Sequence, residues 1–86
     1  MMGRVMKPVV AFGRRVRRVR EALTLTQLEL ATRARMQRTD VVKIERGQRE
    51  PTVTTIVKLA RALHVRPGQL FEETPRARRR RRTRKT

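Results

Sequence analysis

The sequence predicts an all-α fold: a compact five-helix domain over residues 10–73, preceded by a flexible arm, residues 1–9, and followed by a disordered basic tail, residues 74–86. Three observations lead there. Apolar residues recur at spacings of three and four, the period of a helix with one buried face. No stretch alternates with period 2 over the length of a strand. Past Pro75 the composition turns abruptly to arginine, which cannot bury enough apolar surface to order itself.

The arm is assigned from Gly3 and Pro8, which break regularity, and from apolar residues without a sustained period. From Phe12 the apolar residues Phe12, Val16, Val19 and Leu23 make one stripe, with Arg14, Arg15, Arg17, Arg18 and Glu21 on the other faces. This is the first helix. Thr26 and Glu29 form a Thr-x-x-Glu capping box that starts the second, which runs to about Ala34 with Leu28, Leu30 and Ala31.

After Arg35, Met36 and Gln37, a third helix spans about Arg38 to Arg46 and ends at Gly47, the residue best suited to a left-handed cap. Val41 and Ile44 are its inner residues. Pro51 and Thr52 restart the chain, and Val53, Ile56, Val57, Leu59, Ala60 and Leu63 give the fourth helix a broad apolar face, predicted to be the best-buried element. Pro67 at a first turn, with Leu70 and Phe71 for packing, predicts a short fifth helix.

Composition bounds the function. At 86 residues the chain holds one domain with a small core, which leaves little room for a catalytic cleft, and no enzymatic constellation is present. It has no Cys and one His, so no metal site or cofactor is predicted, and His64 reads as a capping or surface residue. No apolar run is long enough for a signal sequence or a membrane span, and the reading is a soluble, cytoplasmic protein.

The formal net charge is +17, of which residues 76–86 supply +8, so the domain is basic without its tail. Such a balance points to a polyanion, nucleic acid first. A short helix, a tight turn and a second helix with polar side chains outward allow one helix to enter a DNA major groove while the other braces it.

Here the sequence resembles the lambda-repressor-like family of Cro-type helix-turn-helix regulators, over roughly Phe12 to Phe71. The stretches that carry the resemblance are RRVRRVREALTLTQLELA, IERGQREPT and IVKLARALHV. It implies a five-helix bundle, sequence-specific binding to double-stranded DNA, a homodimer on a near-palindromic operator, and control of transcription. Two departures stand out: Arg35 and Thr24 occupy positions where the family commonly has Gly. If Arg35 keeps the left-handed geometry, it costs on the order of 1 kcal/mol.

Stepping 100° per residue from Val41 puts Ile44 and Glu45 inward and Thr39, Val42, Lys43 and Arg46 outward. Arg38, Thr39, Val42 and Lys43 are taken as the base-reading set, since Arg or Lys donates to guanine O6 and N7 and a valine methyl packs on a thymine methyl. Val42 has the competing reading of partial burial against the second helix. Asp40 reads as a first-turn carboxylate that favours the helix N-terminus. By the resemblance, Gln27, Arg46, Gln48 and Arg49 bind phosphates, and Arg20 and Glu45 form a structural ion pair.

The leading function is therefore a transcriptional regulator, a repressor that occupies a promoter through its third helix. The alternatives are an antitoxin, whose partner is a toxin protein and which regulates its own operon, and a nonspecific, charge-driven nucleic-acid binder. The tail reads either as a nonspecific DNA arm acting through counterion release or as an RNA- or ribosome-directed segment. Leu70, Phe71 and the outer side of the fourth helix are the expected dimer surface.

Overall fold

Pro8 opens the first helix instead of barring it. At the first helical position its missing N–H has no intrahelical role, and the Val10 and Ala11 amides both donate to Lys7 O, at 3.0 and 2.9 Å. The computed structural model describes residues 7–71, with α1 at Pro8–Ala22, α2 at Gln27–Ala34, α3 at Arg38–Glu45 and α4 at Val53–Ala62. The first helix thus begins inside the stretch assigned to the arm. The rest of that arm and the arginine tail lie outside the described residues.

The fifth element is a 3₁₀ helix, Pro67–Phe71, and not an α-helix. Five residues give little more than a turn, and Gln69 closes it from both sides. Its amide donates to Arg66 O at 2.9 Å, while its side-chain oxygen accepts from the Arg66 amide at 2.8 Å.

All four α-helices end alike. Thr24, Arg35, Gly47 and His64 each adopt positive φ, between 57° and 72°. The amide of the following residue then reaches back five residues into the last turn: Leu25 to Arg20 O, Met36 to Ala31 O, Gln48 to Lys43 O and Val65 to Ala60 O. Only one of the four positions is glycine. Arg35 keeps the left-handed turn, at φ 58° and ψ 50°, without the residue that would make it inexpensive.

The core joins every element. Phe12 and Val16 from α1, Leu30, Ala31 and Ala34 from α2, Val41 and Ile44 from α3, Leu59, Ala60 and Leu63 from α4, and Leu70 form one buried cluster. Burial of α4 is more lopsided than its apolar sequence predicts: Val53 is exposed, and Ile56 and Val57 are half-buried. Leu23, expected in the α1 stripe, is exposed at the helix end. Leu70 is fully covered, so it leaves the expected dimer surface, whereas Phe71 stays half exposed beside the Phe12 ring, centroid to centroid 5.2 Å.

Gly13 decides how closely α1 meets α3. A Cβ there would stand 2.1 Å from Ile44 O and 2.9 Å from Glu45 O, so the C-terminal end of α3 abuts α1 through a contact that only glycine permits. Next to it, Gly47 is seated on Val10.

Candidate nucleic-acid interface

The α2–α3 unit is held from two directions. At its entry the Thr26 hydroxyl accepts from the Glu29 amide at 3.0 Å and the Glu29 carboxylate accepts from the Thr26 amide at 2.8 Å, closing the capping box. At its turn Met36, half-buried, packs on the core and draws the chain from α2 into α3. Val41 and Ile44 then fix the rotation of α3 about its own axis, being 0% and 1% exposed.

That rotation leaves Arg38, Thr39 and Lys43 exposed, with Val42 half-buried at their edge and Arg46 exposed one turn beyond. Of the four residues proposed to read bases, Thr39, Val42 and Lys43 share one outward side of α3, and Arg38 stands exposed in its first turn. Gln48 and Arg49 lie exposed in the segment that follows.

Beneath this face is a polar junction of three helices. Arg20 Nε donates to Glu45 Oε2 at 2.6 Å, a second guanidinium nitrogen donates to Glu45 Oε1 at 3.0 Å, and a third to Leu25 O at 2.8 Å. The hydrogen bond from Arg20 to Glu45 is the main reason that the Arg20 guanidinium pKa lies above its ordinary value. Gln27, assigned to phosphate from the sequence, donates its side-chain amide to Glu45 Oε1 at 3.1 Å.

Arg49 is also engaged within the chain. Its guanidinium pairs with the Asp40 carboxylate, so the segment after α3 is tied to the first turn of that helix. Nothing in the sequence signals this pair, because the partners are nine residues apart and meet only when the chain folds back beside α3. Behind them an open groove of about 500 Å³ runs past Arg35, Asp40, Glu50, Thr55 and Lys58, with both signs of charge on its walls. Among the described residues there is no group of acids and His that could hold a metal ion, and no helix is long and apolar enough to cross a membrane.

A helix-turn-helix family model matches residues 16–70, from the buried Val16 to the buried Leu70. The chain belongs to the helix-turn-helix family of DNA-binding transcription regulators, and this is not a family of enzymes. This regulator is 36% identical over 64 residues to the control protein C.BamHI of Bacillus amyloliquefaciens, covering 73% of this chain and 79% of that one. It is 38% identical over 66 residues to the uncharacterized HTH-type transcriptional regulator y4dJ of Sinorhizobium fredii, covering 73% and 86%. Among solved structures it is similar to the restriction-modification controller protein C.AhdI of Aeromonas hydrophila, with a TM-score of 0.72 and 43% identity over 73% of this chain and 96% of that one. The DNA-binding domain of the P22 c2 repressor superposes with a TM-score of 0.70 at 25% identity, over 80% of this chain and 95% of that domain.

Proposed function

We propose that this regulator binds a near-palindromic operator as a homodimer and represses by occupying a promoter. In this reading α3 enters the major groove, Arg38, Thr39, Val42 and Lys43 read base edges, and Gln27, Arg46, Gln48 and Arg49 hold phosphates. The supporting observation is that α3 has its inner side locked by Val41, Ile44 and Glu45 while the outer side carries a cation at each end and a half-buried valine between them. A helix whose rotation is fixed by burial presents the same side chains to every duplex, as base recognition requires.

The homodimer is placed on the outer side of α4, where exposed Val53 and half-buried Val57 lie one turn apart. Two relatives bear control or restriction-modification controller names, which supports a promoter belonging to a restriction-modification operon. Such a role belongs in the cytoplasm of a cell whose chromosome lies there.

Selection of duplexes from a random-sequence pool by the full chain, at roughly physiological salt, tests the reading. The expected outcome is an inverted repeat with half-sites about one helical turn apart. A bound pool that stays random overturns it in favour of charge-driven binding.

A further inference from the structure

We infer that Met36 is a modification site: hydrogen peroxide reaching the open groove beside the helix-turn-helix unit oxidises its thioether to the sulfoxide, and the turn between α2 and α3 loses its anchor. The modification and the loosening of the turn stand on the geometry of that turn alone. Weaker DNA binding follows from them on the reading of α3 as the helix that enters DNA.

The chain has no Cys, Trp or Tyr, so two-electron oxidation falls on its four methionines. Met36 is the one among the described residues. It packs on the buried cluster from one side and lines the open groove of about 500 Å³ from the other. A small oxidant therefore reaches this half-buried side chain without unfolding the domain.

In the reaction a sulfur lone pair attacks one peroxide oxygen; the S–O bond forms as the O–O bond breaks, and the departing hydroxide takes the proton of the transferred hydroxyl. The thioether is oxidised to the sulfoxide, and the peroxide, reduced by the same two electrons, leaves as water. Arg35 and Lys58, both exposed, line the same groove, and their positive charge favours the departing hydroxide.

The turn is poorly placed to withstand this change. Arg35 sits at φ 58° and ψ 50°, a backbone conformation that is unfavourable for a residue with a side chain, and the Met36 amide closes the cap on Ala31 O at 2.9 Å. Packing of the Met36 side chain on the core offsets that strain. A sulfoxide oxygen needs a hydrogen-bond donor that the apolar cluster does not offer, so the oxidised side chain turns towards water and its packing is lost. The first turn of α3 begins two residues later, at Arg38, and moves with the turn.

The test treats the full chain with hydrogen peroxide beside two variants. Met36→Leu keeps the volume and cannot be oxidised; Met36→Gln, left untreated, carries a polar group at the same place. Cleavage after glutamate places Met36 alone among the methionines of the peptide 30–45, whose mass reports the added oxygen. The expected result is an oxidised Met36 and a thermal midpoint lower by about 5 °C, with recovery on treatment with methionine sulfoxide reductase. Affinity for the selected operator falls about tenfold, the loss expected when one base contact no longer fits. Treated Met36→Leu should keep its midpoint and affinity, and untreated Met36→Gln should show the lower midpoint.

If Met36 stays unmodified while the other methionines gain oxygen, the site is overturned. An oxidised Met36 with an unchanged midpoint, or an equal loss in treated Met36→Leu, overturns its role in the turn. If the midpoint falls and operator affinity does not, the modification stands and the reading of α3 as the DNA-entering helix fails.

Discussion

Arg20 and Glu45, 25 residues apart, form a hydrogen-bonded ion pair at 2.6 Å whose side chains are only 11% and 3% exposed. The carboxylate also accepts from Gln27, so α1, the start of α2 and the end of α3 converge on one anion. Replacing Glu45 by Ala strands the Arg20 cation and the Gln27 donor together, and should cost about 3 kcal/mol of unfolding free energy. Glu45→Gln keeps an acceptor and should cost less. Urea melts of both variants check the order; equal losses would mean that charge, and not the shared acceptor, holds the junction. The Arg20 guanidinium is charged throughout the ordinary pH range with or without the pair, and the hydrogen bond to Glu45 raises its pKa further. Its stabilisation is thus complete below the unfolded-state value and is lost only as pH climbs through the folded one.

Gly13→Ala provides a test in which two effects oppose each other. Helix propensity alone favours alanine by about 1 kcal/mol. Against this, the new methyl would sit 2.1 Å from a backbone carbonyl that cannot rotate away, so α3 must move as a body. Overpacking of this kind costs about 1–3 kcal/mol and should win, giving a net destabilisation in denaturant melts. A stabilised variant would show that α3 shifts away from α1 at little cost and that glycine does not set the approach of the two helices.

Much of the fold was legible because its signals are local. Thr26 and Glu29 are three residues apart on one turn, and the box they predict is the box observed. Val41, Ile44 and Glu45 followed from helical period alone. What escaped was non-local or masked by residue type. The role of Gly13 exists only once α3 arrives, and the Arg49–Asp40 pair only once the chain folds back. Thr24 and His64 adopt glycine-like backbone angles that their side chains do not announce, whereas Gly47 could be read directly. Pro8 reads two ways in the sequence because proline both ends and begins helices, and only the amides that follow it tell which.

The unequal helix ends give a stability prediction. Thr24 is β-branched and sits at φ 57° with its residue exposed, so Thr24→Gly should relieve strain at little loss of contact and stabilise by about 1 kcal/mol. Gly47→Ala should do the reverse by at least about 1 kcal/mol, since it adds the same strain at φ 72° and presses a methyl on Val10. Thermal unfolding of the pair checks the signs, and a neutral Thr24→Gly would place the strain elsewhere.

Asp40 and Arg49 set up a competition between a carboxylate and DNA phosphate for one guanidinium. Their side chains are 31% and 45% exposed, so the pair contributes at most about 1 kcal/mol to stability and its removal should leave the fold intact. Asp40→Asn frees Arg49 and removes an anion from the first turn of α3. Binding should then tighten on every duplex, and the slope of log K against log salt should steepen by about 0.9, the value of one added phosphate contact. Arg49→Gln in the Asp40→Asn background should cancel that gain, because the freed cation is its source. If Asp40→Asn instead changes which sequence is preferred with the slope unmoved, Asp40 itself faces a base, and Arg49 positions it.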